Sequence, residues 1–517
     1  MLSNLGDFHR AVSTSNEMAK RYFDQGLTLV YGFNHDEARR SFLEAARNDP
    51  SFALAWWGVA LAVGPNINDE AKDAQREQQA SEAAHKAVAL RETASEVERA
   101  LIEAMASRYP RGGSADRAAR LSSYAAAMEK VYERFPNDPD VATLYAGAVM
   151  ETMPWNYYMG DGKPKKPMVK AIEALERTIA THPYHPGAHH YYIHAVEASP
   201  EPDRAIRSAE QLPSLVPGAG HLVHMPSHVF IRVGRYEDAV KANYQAIKAD
   251  EDYISACRAQ GIYPAAYYPH NVHFLTAALA FEGRRKEMME AAEKVSHQHG
   301  AAAMADPNFA FPHLLQAIPD LARVRFGMWE EILRTEKPEG SEFHLAIWHF
   351  ARGMAYAATK RPGEATAELD ALRKAAAIPA LKSMKVFDVN ALSDLAAIAA
   401  GVLEGEIEAR QRRFGKAIAV LRKAVAREDA LLYSEPPDWP NPVRHNLGAV
   451  LLEAGKGAEA EEVFREDLRR HRNNGWGLRG LARALEMQNK KKEAAEAMAA
   501  FEKAWARADI KIDSSRL

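Results

Sequence analysis

A recurring helix-pair register constrains this chain more than any other feature. Between Tyr22 and Gly58, Gly26 falls on one helical run, Ala38 and Phe42 lie four apart on the next, Ala45 follows, and Pro50 closes the stretch. Small residues let two helices approach, the large apolar residue fills the gap, and proline starts the next unit with a preset φ. The register returns at Gly234 to Ala239, at Gly405 with Phe414, Ala417, Leu421 and Ala424, and at Leu447-Gly448 with Gly455, Ala460 and Phe464. A further copy has Leu481-Ala482 with Ala494, and weaker ones begin near Ala53, Ala142, Pro186, Pro269, His313 and Ala346. Alternating apolar runs bounded by Asn-Gly turns are absent. The pattern predicts an all-α solenoid of about a dozen helix pairs, from near Ala19 to near Ala508.

This small–aromatic–small–proline spacing resembles the tetratricopeptide repeat (TPR), which implies a TPR-like α-solenoid wound as a right-handed superhelix. Longer strings resemble an uncharacterised bacterial family of long TPR proteins with a His-rich centre. They are FNHDEARRSF (33–42), AWWGVALAVGPNIN (55–68), YIHAVEAS (192–199), GHLVHMPSHVFIRVGRY (220–236), YYPHNVHFL (267–275) and NGWGLRGLARAL (474–485). The resemblance runs from end to end and implies one solenoid over 1–517. Within it, 19–182 are N-terminal repeats, 183–300 His-rich central repeats and 301–517 C-terminal repeats. It brings no established reaction.

Histidine is the outlying residue type. Twelve of the 20 histidines lie between His182 and His299, where even spreading would place about five. In the units opening at Pro186, Gly220 and Pro269, the fifth position is His190, His224 and His273. The ninth is His194, His228 and Ala277, and the second is Gly187, His221 and His270. Residues four apart on a helix share a face about 6 Å apart, and neighbouring helices lie about 8–10 Å apart. Imidazoles repeated in that register can converge on one ion. The TPR resemblance further implies that these positions face the concave groove, and it would bring Glu197 and Arg232 beside them.

The expected metal ligands are therefore His190, His194, His224, His228, His270 and His273, with His221 as an alternate. Glu197 and Arg232 are the candidate catalytic groups, Glu197 as a further ligand, an orienting partner or a base. Many imidazoles with few carboxylates suit copper first, with iron or zinc as the other choices, rather than magnesium or calcium. A di-iron centre would bring more carboxylates. Pro226 leaves two geometries open: a helix bent between His224 and His228, or one that begins near Met225 with His224 ahead of it. His182, His185, His189, His297 and His299 fall outside the register and are expected in loops or on the surface. His313, His344, His349 and His471 are expected to be structural, and His445 remote.

Three insertions interrupt the spacing: Trp155–Pro167, Glu251–Tyr268 and Tyr433–Pro442, of which the last is too proline-rich to be helical throughout. In a solenoid such insertions often border a binding face. The net charge of −3 argues against a nucleic-acid binder, and the lone Cys257 excludes an internal disulfide or a thiolate metal site. No apolar run reaches the roughly 20 residues of a membrane span. The N-terminus does not read as a signal peptide, so a cytoplasmic protein is expected. Phosphate loops, dinucleotide fingerprints, nucleophile elbows and His-Glu-x-x-His are absent. Two functions remain: a metal-dependent oxidoreductase acting on a small molecule in the groove, or a TPR scaffold binding a peptide or protein without catalysis. A homodimer is compatible with either.

Overall fold

Polar caps set the helix starts in the N-terminal half. Asn16, Asp73, Ser95, Asp116 and Asp138 each accept a backbone N–H of the first turn that follows, satisfying a donor that the helix itself cannot. Ser95 and Glu98 form a reciprocal capping box, and Pro139 occupies the first turn behind Asp138, where its missing N–H costs nothing. The computed structural model describes residues 1–69, 73–112, 116–259, 261, 263–298, 304 and 309–517; His299 and parts of the Glu251–Tyr268 insertion lie outside them.

Two compact units result, one of residues 1–229 with 244–263, the other of 230–243 with 264–517. The first begins with α1 (Glu17–Tyr31), α2 (His35–Asn48), α3 (Ala53–Val63), α4 (Ala74–Leu90), α5 (Glu96–Arg108) and α6 (Arg117–Arg134). It continues with α7 (Pro139–Glu151), α8 (Lys166–Thr181), α9 (Pro186–Val196), α10 (Ile206–Leu215) and α11 (Gly220–His224). The chain then runs through α12 (Pro226–Arg232) and α13 (Tyr236–Cys257). The second unit is also built of consecutive helices, among them Phe311–Arg325, Glu342–Ala358, Leu392–Arg410, Val443–Glu453, Gly457–Arg470 and Gly475–Met487. Successive helices pack against one another in both units. Among the described residues the only strands are the two-residue pair Lys385–Val386 and Asn390–Ala391. The fold is an all-α, TPR-like solenoid.

The repeat register has a direct physical cause. A Cβ on Gly26 would stand 2.7 Å from the Phe42 ring and one on Gly58 only 2.5 Å. Phe42 is thus wedged between α1 and α3, which only glycine allows at that range. Phe464 is held in the same way between Gly448 and Gly480 in the second unit, at 2.3 Å from each added Cβ. Both phenylalanines are fully buried.

Two expectations are revised. The insertion expected from Glu251 is helical as far as Cys257, because α13 runs on without a break. His185 and His189 are buried rather than on the surface. His185 caps α9 by accepting from Ala188 N–H and contacts Asp140, and His189 bonds Ser208 and the Pro183 carbonyl. His445 is buried against Asp467 and Arg325 in the second unit. No described helix is long and apolar enough to cross a membrane.

Candidate metal centre

The expected ligand histidines of the first unit are carried by α9, α11 and the start of α12. All eleven residues of α9 are buried, so this helix is an interior element and not one with a solvent face. His190 and His194, four apart, share one side of it. Pro226 cannot donate to the preceding turn, and the helix divides at Met225 into α11 and α12. His224 thus ends one helix and His228 sits in the next, yet their Nε2 atoms are 3.0 Å apart. The break that weakens the i,i+4 argument leaves the two rings together.

Tyr31 and Glu197 set the protonation of the rings. A Cβ on Gly187 would stand 2.4 Å from the Tyr31 ring, so glycine in the first turn of α9 lets Tyr31 lie against the helix. Its carbonyl then accepts from His190 Nδ1–H at 2.6 Å. A carbonyl only accepts, so the neutral His190 ring presents a bare Nε2. Tyr31 is anchored in turn, its hydroxyl donating to Asp140 Oδ1 at 2.6 Å, while Asp140 is ion-paired with Arg10. Burial by itself would raise the Asp140 carboxyl; Arg10, His185 and Tyr31 hold it well below the usual range.

Glu197, fully buried at the end of α9, serves two rings. Its Oε1 accepts from His194 Nδ1–H at 2.8 Å, and its Oε2 pairs with His228 Nδ1. Burial opposes its charge, but His228 and His194 keep the carboxyl below its ordinary value. With Nδ1 committed, His194 also presents a bare Nε2, and this buried atom has no hydrogen-bond partner. Burial and then the neighbouring imidazoles push His190 and His221 well below the ordinary histidine range. His194 is lowered by burial against the opposing pull of Glu197. The rings are therefore neutral, the form that binds metal.

One nitrogen each from His190, His194 and His221 lies within 4.8 Å of the others, and the three residues are at most 1% exposed. His190 Nε2 and His221 Nε2 are 3.1 Å apart. Two imidazoles on one zinc-like ion at about 2.0–2.1 Å, at angles between square and tetrahedral, stand about 2.9–3.4 Å apart. Without an ion the same separation requires an N–H on His221 Nε2. The sequence expectation that these histidines line an open groove is corrected by their burial.

Two aromatic residues outside the expected set enclose this group. Phe33 stacks on His221 with centroids 5.2 Å apart and meets the His190 ring at 4.6 Å. It also lies parallel to His194, which Trp155 meets edge-on at 5.2 Å. Phe33 has φ 56° and Trp155 φ 61°, a left-handed conformation that bulky residues rarely adopt and that stores about 1–3 kcal/mol each. The flagged Trp155–Pro167 loop further ties to α9 where Tyr158 donates to the Ala195 carbonyl. Phe33 stands first in one of the resemblance strings, but only its backbone angle distinguishes it from a core phenylalanine.

The remaining expected residues lie in the second unit. His270 is half-buried against Phe274 and Phe387. His273 is buried near Phe311, and burial alone pushes it down to about 3. Among the described residues His273 joins no metal-holding group. Arg232 lies over the Tyr433 ring at 5.5 Å and 3.9 Å from Glu435.

No protein-family model and no curated protein sequence matches the chain. Among solved structures, a human IFIT1 dimer with m7Gppp-AAAA is similar, with 13% identity over 84% of this chain and 87% of that one and a TM-score of 0.34. Yeast Tom70 has 12% identity over 94% of this chain and 100% of that one, with a TM-score of 0.33. Likenesses this distant carry no argument about ligand or partner.

Proposed function

We propose that this protein binds a transition-metal ion through His190, His194 and His221, with Glu197 orienting His194 and with His224 and His228 as an adjoining imidazole pair. The observation that carries the reading is the buried, partnerless Nε2 of His194, aimed at two further imidazoles while Glu197 holds its other nitrogen. Such a carboxylate–histidine arrangement fixes the tautomer for ligation. Copper is the first choice and iron or zinc the others, since the donors are imidazole nitrogens and both Glu197 oxygens are engaged by rings. The enzymatic form of this reading is a metal-dependent oxidoreductase acting on a small molecule. In it the ion would supply Lewis-acid or redox chemistry, while Phe33 and Trp155 exclude water. A peptide-binding scaffold is disfavoured at these residues, because imidazoles this deeply buried cannot meet a peptide.

Metal analysis of untagged protein, before and after loading with copper, iron or zinc, tests the reading. The expected result is stoichiometric metal that disappears in His194→Ala and His221→Ala. Protein that takes up none of the three, with a melting temperature indifferent to chelator, would refute it.

A further inference from the structure

A second polar site lies in the first unit, away from the residues of the histidine group in sequence. The C-terminal ends of α3 and α5 and the first turns of α4 and α6 border a small, solvent-open polar pocket. Its wall carries three guanidinium groups, Arg108, Arg117 and Arg120, with Glu77, Tyr109 and Gly64 among them. Arg120 is paired with Glu77. Arg108 is 1% exposed and uses only Nη2, which donates to Glu151 and to the Pro65 carbonyl. Its Nη1 and Nε are buried without a hydrogen-bond partner, and so are Nε and Nη2 of Arg117.

Unused buried guanidinium donors are expensive, and the surroundings hold them in place. The Arg108 guanidinium lies over the Tyr124 ring at 4.5 Å. Gly64 lets the Tyr109 hydroxyl approach the end of α3, since a Cβ there would stand 2.8 Å from it, with Arg108 Nη1 in ordinary contact at 3.6 Å. Three cations face two carboxylates, each of which is already paired. The spare Nε and Nη2 of Arg117 share one edge of its guanidinium, a planar fork that matches two oxygens of a carboxylate or phosphate group, while Arg108 offers Nη1 and Nε singly.

We propose that this cavity is a binding site for the oxyanion group of a small molecule, held by Arg108 and Arg117 with Arg120 at its rim. Calorimetric titration of the full chain tests it, with inorganic phosphate and succinate as separate probes against chloride of equal ionic strength. Saturable binding of one anion per chain is expected, weakened about tenfold or more in Arg117→Gln. Arg117 is only half-buried, so this variant leaves the core intact, and Arg120→Gln gives a second reading if folding fails. Binding of phosphate alone identifies a phosphate-bearing ligand, and binding of succinate alone a carboxylate; both results support the site. No saturable binding of either probe, or equal affinity in Arg117→Gln and Arg120→Gln, overturns it. The metal content of Arg117→Gln is expected to match the wild type, so this site and the histidine centre stand or fall separately.

Discussion

In a Glu197→Gln variant, the carboxylate that serves both His194 and His228 becomes an amide with one oxygen and one NH2 group. One imidazole then meets a donor with its own Nδ1–H. It must either move that proton to Nε2 or turn away, and each outcome removes a lone pair from the convergent face. Losing an orienting partner of this kind weakens metal binding by about 10–100-fold, equivalent to about 1.4–2.7 kcal/mol. At saturating metal the same amount is lost from the stability that the ion adds, because that gain follows RT ln(1 + [L]/Kd). The metal-free protein is less affected. The His194 ring left behind is lowered by burial and carries no charge, and the cost stays below the roughly 3–5 kcal/mol of a broken buried ion pair. Chelator competition with Cu(I) and Zn(II), together with urea unfolding with and without metal, measures both quantities. Wild-type affinity in Glu197→Gln, beside abolished binding in His194→Ala, would refute the orienting role while leaving the ligand assignment standing.

Phe33→Ala is expected to destabilise by about 3–5 kcal/mol, as for other buried phenylalanines. Phe33→Gly should be about 1 kcal/mol more stable than Phe33→Ala, because glycine takes a positive φ without strain; equal stabilities in urea unfolding would contradict the strained backbone at φ 56°. Gly187→Ala drives a Cβ into the Tyr31 ring and should cost about 1–3 kcal/mol, with weakened metal binding as the Tyr31 carbonyl withdraws from His190; a melting scan and a chelator titration check the two effects. His273 stays neutral in the fold down to about 3, whereas the unfolded chain takes up its proton near 6.5. Its contribution is therefore intact above that pH and lost as pH falls, by about 2 kcal/mol at pH 5. His273→Leu should flatten this acid slope without changing metal content, and an unchanged slope would show that other groups control it.

The fold was legible because its register is short-range and repeats. Phe42 and Phe464 stand at fixed offsets from the glycines they press against, and those offsets survive as sequence spacing. Departures came where a tertiary partner overrode local signals. The Glu251 segment continues a helix, and His185 and His189 are drawn inside by Asp140, Ser208 and a carbonyl. None of these partners is encoded in the spacing of the residues they hold.

The centre was legible to a different degree. The register assembles His190, His194, His221, His224 and His228 because neighbouring helices repeat one face. It also nominates His273, whose position in the repeat is equivalent but whose surroundings are apolar. What separates them is the partner of the far ring nitrogen. For His190 that is the carbonyl of Tyr31, 159 residues away in sequence, and for His194 and His228 it is one carboxylate. A histidine whose second nitrogen is anchored presents a defined lone pair, while one packed only against Phe311 is an uncharged core residue. Spacing can therefore nominate a ligand, but the anchoring acceptor is what defines its lone pair; for His190 it arrives through the stacking of α9 on α1, and for His194 from Glu197 at the end of α9 itself.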